Sequence, residues 1–156
     1  VAQLVAHDNS IQPGQPFWVA LRLQHDPHWH TYWINPGTGY PTALTWKLPP
    51  GFTAGPIVWP TPYVVKDTAG KVTGNGYEKD TFLYVQITPP ADLAVGSTVT
   101  LKAFAEWLMC KDVCMPGEAD LTLTRPVTAE KPGADMSIAR LFNNNFYQLP
   151  RTEKDW

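Results

Sequence analysis

Hydrophobic and polar residues alternate in short runs along most of this chain. The clearest run is residues 15–24, where large apolar side chains recur at every second position from Phe17 to Leu23. A period of two is typical of a β-strand with one buried face. Similar runs, separated by Pro- and Gly-rich turns, cover residues 4–8, 28–34, 43–48, 57–59, 81–88, 98–108 and 119–125.

The number and spacing of these runs predict an all-β protein, an immunoglobulin-like antiparallel β-sandwich. A helical pattern occurs only near the end, where Asp135 can cap a short segment in which Ile138, Leu141 and Phe142 share a face. We therefore predict one domain over residues 1–128 and a short helical C-terminal extension or linker over residues 129–156.

Charge and hydropathy exclude several classes of function. Charged residues make up 17% of the 156 residues and the formal net charge is -2, which is unlike the basic surface of a nucleic-acid-binding protein. No run approaches the roughly 18 apolar residues that a membrane-spanning helix needs. We expect no nucleic-acid partner and no direct membrane insertion of this fragment. The N-terminus lacks a basic region followed by an apolar stretch, so we expect any signal peptide to have been removed already.

The chemistry is expected at the only two cysteines, Cys110 and Cys114. A disulfide across so short a loop removes little unfolded-chain entropy, about 2 kcal/mol against about 4.7 kcal/mol for a 100-residue loop. The seven Trp, six Tyr and six Phe supply a core without such a staple. A redox or metal role for the two cysteines is therefore favoured over a purely structural one.

Three hypotheses compete for this pair. The first is a structural disulfide or two buried thiols. The second is a dithiol that cycles between reduced and oxidised forms, with Lys111 favouring and Asp112 opposing a thiolate. The third is a Cu(I) site that adds Met109, Met115 and a histidine to the two thiolates. Adjacent residues on an extended chain point to opposite sides, which argues against convergence of Met109 with its neighbouring cysteine.

Several motifs occur together and in order along the chain. They are HWHTYWINPGTGYPT at 28–42, GFTAGPIVWPTP at 51–62, GYE at 76–78 and WLMCKDVCMPG at 107–117. With this combination, roughly residues 1–128 resemble the N-terminal periplasmic domain of the thiol:disulfide interchange protein DsbD and its relatives. The short C-x3-C spacing is similar to a variant branch that includes copper-tolerance homologues.

The resemblance implies an immunoglobulin-like module, excised from an inner-membrane protein and exported to the periplasm of a Gram-negative bacterium. Its activity would be that of a protein-disulfide reductase. Electrons would come from membrane-embedded and thioredoxin-like domains of the same protein and pass to periplasmic disulfide isomerases or thioredoxin-like proteins. The alternative is a copper-handling domain that binds Cu(I) through Cys and Met or His ligands.

Carried over residue by residue, the resemblance makes Cys110 and Cys114 the catalytic redox pair. Cys114 would form the mixed disulfide and Cys110 would resolve it. His30 and Tyr32 match two aromatic residues that lie next to the disulfide in the family. No organic cofactor and no metal is needed.

Three further features of the sequence bear on the site. The stretch matching the family's protective cap loop, residues 67–72, has no aromatic residue, so Tyr63 or Tyr77 would have to shield the disulfide. His28 and His30 form a His-x-His that would be half of a zinc site, without a clear third ligand. Four tryptophans could form a sugar-stacking platform, although packing is their expected role. They are Trp29, Trp33, Trp46 and Trp59.

Overall fold

The computed structural model describes residues 1–34, 39–66, 70–111 and 113–146. Within these ranges the chain forms ten strands and one helix. They are β1 (Ala2–Ala6), β2 (Phe17–Gln24), β3 (Thr31–Tyr32), β4 (Ala43–Lys47), β5 (Thr53–Ala54), β6 (Tyr63–Lys66), β7 (Val72–Tyr77), β8 (Asp80–Thr88), β9 (Thr98–Cys110), β10 (Cys114–Pro126) and α1 (Ala139–Phe146).

The strands form three antiparallel sheets, which confirms the predicted all-β, immunoglobulin-like sandwich with a short C-terminal helix. One main sheet has the order β1-β2-β8-β5 and the other has the order β10-β9-β4. A small third sheet has the order β3-β7-β6. His30, the residue just before β3, forms a bridge with Cys110 at the end of β9. This bridge joins the small sheet to the β10-β9-β4 sheet.

The core lies between the two main sheets and explains the alternating pattern. Val19 and Leu21 of β2 and Leu101 and Ala103 of β9 are buried at every second position. Burying an aliphatic side chain of this size contributes about 1.5–3 kcal/mol. Alternation thus records which face of each strand is turned toward the opposite sheet.

Strand β8 is buried on both faces because helix α1 covers its outer side. The Phe142 ring of α1 packs edge-on against Tyr84, with ring centroids 4.9 Å apart. The Tyr84 hydroxyl donates a hydrogen bond to the Phe142 carbonyl oxygen at 2.7 Å. Ile138 and Phe142 are buried as predicted, but Leu141 is 41% exposed, so its assignment to the same buried face is wrong.

In the part of the chain that the structure describes, no helix has both the length and the apolar character that crossing a membrane requires.

Asp135 caps the segment that leads into α1, as the sequence indicates. Its carboxylate accepts hydrogen bonds from the Ser137 backbone N–H at 3.1 Å and from the Ser137 hydroxyl at 2.6 Å. The division of the chain at residue 128 remains a prediction. Among the described residues after it, Ile138, Phe142 and Phe146 pack against β8.

The small sheet departs most from the sequence prediction. Its strands β6 and β7 were not predicted, and the 28–34 run contributes only the two residues of β3. In the sheet that contains β8, β5 was also not predicted, and the 57–59 run contributes only an isolated bridge at Val58. Glycines in β7 signalled a turn instead of a strand. Gly76 is required there because a Cβ atom on it would lie 2.0 Å from the Thr31 carbonyl oxygen.

Strands β9 and β10 form a long hairpin that reaches the two cysteines. The strand runs predicted from the sequence end at residue 108 and resume at residue 119, but Pro116 and Gly117, between them, are paired with β9, opposite Leu108 and Trp107. An edge strand tolerates proline, and β10 is an edge strand. The Trp107 indole covers Gly117 so closely that a Cβ there would lie 2.3 Å from Trp107 Nε1. The hairpin therefore continues to Cys114.

Candidate redox site

The disulfide joins the last paired residues of the β9–β10 hairpin. Cys110 and Cys114 are bonded to each other and are directly opposite in the strand register. Their Cα atoms are 4.1 Å apart, a separation typical of a narrow pair without direct backbone hydrogen bonds. The Lys111 N–H donates to the Val113 carbonyl oxygen at 3.1 Å within the turn. The hairpin thus brings the two sulfurs together without help from distant parts of the chain.

The two cysteines differ in their access to solvent. Cys110 is only 3% exposed, whereas Cys114 is exposed. The neighbouring Val113 is 64% exposed at the tip of the turn. Thiol–disulfide exchange begins with attack on an accessible sulfur, so an incoming thiolate meets Cys114 first.

Strand β3 places His30 beside the disulfide. The His30 N–H donates to the Cys110 carbonyl oxygen and the Cys110 N–H donates to the His30 carbonyl oxygen, each at 3.0 Å. Directly paired residues project their side chains from the same face of a sheet. Cys114, Cys110 and His30 therefore form a row across three adjacent strands.

Tyr32 lies two residues further along the same face. His30 Nε2 and the Tyr32 hydroxyl are 3.2 Å apart, and the two rings meet edge-on with centroids separated by 5.3 Å. Tyr32 is only 4% exposed, and Gly39 approaches so closely that a Cβ there would lie 2.8 Å from the tyrosine ring. The structure thus brings together all four residues that the sequence proposed for the site.

Burial sets the protonation of the two side chains. It lowers the pKa of His30, an effect that the carboxylate of Glu78 partly opposes. It raises the pKa of the Tyr32 hydroxyl. Both side chains are therefore neutral near pH 7. Glu78 belongs to the GYE motif at 76–78, but only the packing of the small sheet brings it near His30.

A cleft of about 460 Å³ opens beside the hairpin tip. Its wall is formed by both polar and apolar residues: His28, His30, Tyr63, Val64, Val65, Lys66, Gly76, Tyr77, Glu78 and Lys111. Tyr63 is 59% exposed here. Tyr77 is buried and its hydroxyl donates to the Pro60 carbonyl oxygen, so Tyr77 is a core residue. The proposed cap loop runs from β6 to β7, and its residues 67–69 lie outside the described part of the chain.

His25 holds the two turns that flank the cleft. Its backbone N–H and its Nδ1 contact the Lys79 carbonyl oxygen at 2.8 and 2.7 Å, and its Nε2 lies 3.0 Å from the Thr31 hydroxyl. Lys79 and His28 are the two non-glycine residues with positive φ among those that the structure describes. Sequence reasoning missed this positioning role, since a lone histidine in a turn carries no signal for it.

The methionines lie away from the cysteines. Met109 and Met115 are directly paired and line a second cavity of about 320 Å³ that also contains Trp29 and Trp107. Strand alternation directs this pair to the face opposite the disulfide. Four sulfurs therefore do not converge as the copper hypothesis requires. Among the described residues, no group of three or more His, Cys, Asp or Glu side chains is placed to hold a metal ion.

The positions of the four tryptophans favour a packing role over a sugar-stacking platform. Trp33 and Trp59 pack against the cluster around Leu21 and Leu83, and Trp46 packs against the main core. Trp29 lines the cavity of the methionine pair. An open row of indole faces for a sugar is not formed by these four residues.

Fold and site together define a class: an immunoglobulin-like β-sandwich that carries a disulfide with one accessible sulfur at the tip of a hairpin. The family model described as thiol:disulfide interchange protein DsbD, N-terminal, matches residues 1–126. The chain belongs to this family, and it is a thiol:disulfide exchange domain. No curated protein sequence matches the chain.

One solved structure supports the same architecture. The crystal structure of the N-terminal periplasmic domain of ScsB from Proteus mirabilis is similar, with a TM-score of 0.64 and 19% identity over 96% of this chain. The chain spans 54% of that protein chain. A cohesin module from a Clostridium perfringens family 33 glycoside hydrolase has a TM-score of 0.43 at 16% identity, covering 78% of this chain and 96% of the module. At these identities the likeness to ScsB supports the fold alone.

Proposed function

We propose that this domain is the periplasmic reductase module of a larger inner-membrane enzyme in a Gram-negative bacterium. It would receive two electrons from a membrane-embedded partner domain. It would pass them to oxidised periplasmic proteins, namely disulfide isomerases or thioredoxin-like proteins. Family membership supports this direction of transfer and this compartment.

The observation that carries the proposal is the unequal access to the two sulfurs. In the reduced domain, the exposed Cys114 thiolate attacks the partner disulfide, and one partner sulfur leaves as a thiolate. Cys110 then attacks the Cys114 sulfur, closes the domain disulfide and releases the second partner thiolate. Two electrons move to the partner, and the domain returns to the oxidised form seen here.

Reversible cycling is tested by equilibrating the domain in glutathione buffers of graded potential. Free thiols are then alkylated, and the product masses are read by mass spectrometry. The proposal expects a single two-electron transition between the dithiol and the disulfide, with the fold preserved throughout. A pair that stays oxidised until the protein unfolds would identify a structural disulfide and end the proposal.

The roles of the two cysteines are separated by trapping. The probe is a thioredoxin variant with one cysteine, activated as a mixed disulfide with thionitrobenzoate. Cys110→Ala leaves the exposed Cys114 and should form the inter-protein disulfide at least about tenfold faster than Cys114→Ala, because a buried thiol is both less ionised and less accessible. Faster trapping by Cys114→Ala would reverse the assignment.

A further inference from the structure

We propose that His30 is the general base that removes the proton from the Cys110 thiol when Cys110 resolves the mixed disulfide. This inference rests on the proposed function, since it assigns a chemical role within the exchange cycle. It concerns a residue type, histidine, that stands here in place of the aromatic residue expected from the family resemblance.

The backbone places the His30 and Cys110 side chains on one face of the sheet, at neighbouring positions. His30 and Cys110 exchange two hydrogen bonds of 3.0 Å, so the register of β3 against β9 cannot slip without losing both. Side chains of directly paired residues leave the same face with Cβ atoms about 4.5–5.5 Å apart. An imidazole ring extends far enough from its Cβ to reach a cysteine sulfur across that gap.

The resolving thiol needs a base because it is buried. Cys110 is 3% exposed, and an apolar environment disfavours the thiolate form. Bulk water has little access to take the proton from this sulfur. Cys114 has no such need, because its exposed thiol can lose a proton to solvent.

His30 is in the right state to accept a proton. Burial keeps the imidazole neutral near pH 7. In the tautomer in which Nε2 donates to the Tyr32 hydroxyl, 3.2 Å away, Nδ1 is left as the acceptor. The imidazolium formed after transfer is favoured by the carboxylate of Glu78, the side chain that raises the His30 pKa.

Other charged and titratable groups face the same cleft. They come from the turn before β3, from β6, from the end of β7 and from the hairpin tip: His28, Tyr63, Lys66, Glu78 and Lys111. The two lysines oppose an imidazolium and Glu78 favours it. The His25 and His30 imidazoles repel each other when both are protonated, so His25 also disfavours the His30 imidazolium.

Resolution transfers one proton and exchanges one disulfide bond for another. The Cys110 S–H bond breaks and its proton passes to His30 Nδ1. The Cys110 sulfur forms a bond with the Cys114 sulfur, and the bond from Cys114 to the partner sulfur breaks. The partner leaves as a thiolate and takes up a proton from the imidazolium or from water, which returns His30 to its neutral form.

The size of the effect follows from the ionisation of the thiol. A cysteine with the ordinary pKa of about 8.5 is about 3% thiolate at pH 7, so complete ionisation accelerates attack about 30-fold, and by more where burial raises the thiol pKa. We expect removal of the base to slow resolution about tenfold at pH 7. The loss should shrink toward unity as the pH rises through the thiol pKa, because hydroxide then ionises Cys110 without help.

The test uses the reduced domain and dithiobis(nitrobenzoate) under stopped-flow conditions. Attack by Cys114 releases one thionitrobenzoate in a phase whose rate depends on reagent concentration. Resolution by Cys110 releases the second in a phase whose rate does not. His30→Phe preserves an aromatic ring and His30→Gln preserves polarity, and both should slow only the second phase. His7→Gln, at a histidine outside the cleft that packs against Phe142, is the matched control and should change neither phase.

Three results would contradict the proposal. Second-phase rates in both His30 variants that equal the wild-type rate would overturn the base role and leave the proposed function standing. Slowing by the same factor at every pH would assign His30 a positioning role and also overturn it. Release of a single thionitrobenzoate by the wild-type domain would show that the pair does not cycle, which would overturn the proposed function as well.

Discussion

Reduction of the disulfide should leave the fold intact and lower its stability only slightly. The bond closes a loop between residues separated by 4 positions. For about five residues in the loop, the chain-entropy relation gives about 2 kcal/mol of lost stability on reduction. The native hairpin does not depend on the bond for its register, because pairing continues without interruption from Cys114 opposite Cys110 to Pro126 opposite Thr98.

The expected change in melting temperature follows from the size of the chain. For a domain of 156 residues, 1 kcal/mol corresponds to about 2–4 °C, so reduction should lower Tm by about 4–8 °C. Thermal unfolding is followed by far-ultraviolet circular dichroism with and without a phosphine reductant. The Cys110→Ala, Cys114→Ala double variant serves as the control, since its Tm should not respond to the reductant.

A much larger effect would refute the reasoning. Loss of the cooperative transition on reduction, or a fall in Tm above about 15 °C, would mean that the disulfide organises more than its own short loop. The pair would then be a structural staple, and relay through a stable reduced state would be excluded. An unchanged near-ultraviolet spectrum in the reduced domain would give independent support for an intact core.

Two further predictions concern the C-terminal segment. Phe142→Ala should destabilise the domain by about 3–5 kcal/mol, because the 2% exposed ring fills the space over Tyr84, whereas Leu141→Ala at a 41% exposed position should cost less than about 1 kcal/mol in urea unfolding. Equal losses would mean that α1 does not pack as described. Asp135→Ala should cost about 1 kcal/mol near pH 7. Hydrogen bonds from Ser137 lower the pKa of Asp135, so its contribution is present above the unfolded-state pKa and is lost as the pH falls through the lower folded-state value. The difference between wild type and variant should therefore shrink below about pH 4 in a pH series of unfolding curves, and a constant difference would argue against the carboxylate as the cause.

The sequence was most informative where one physical requirement dominated. Strands β2, β8 and β9 were predicted close to their observed bounds because one or both of their faces are buried in the core. The small sheet was missed because its strands are short and β7 is rich in glycine. The need for glycine at position 76 comes from a neighbouring strand, so no local pattern could reveal it.

The end of the hairpin illustrates the same limit. Pro116 and Gly117 are turn formers in isolation, yet both are paired in β10. The edge position of this strand and the indole of Trp107 compensate for the missing N–H and the missing side chain. Only the position of a residue within the folded sheet decides whether such a pair ends a strand.

By itself, the sequence determined the all-β class and singled out the cysteine pair, because strand periodicity and residue chemistry are local properties. It pointed to His30 and Tyr32 only through the family resemblance. Only the tertiary structure decided that Cys110 is buried and Cys114 exposed, and that His30 is paired with Cys110. These features depend on strand register across long separations in sequence. Register is set by the packing of whole sheets, which no short motif encodes.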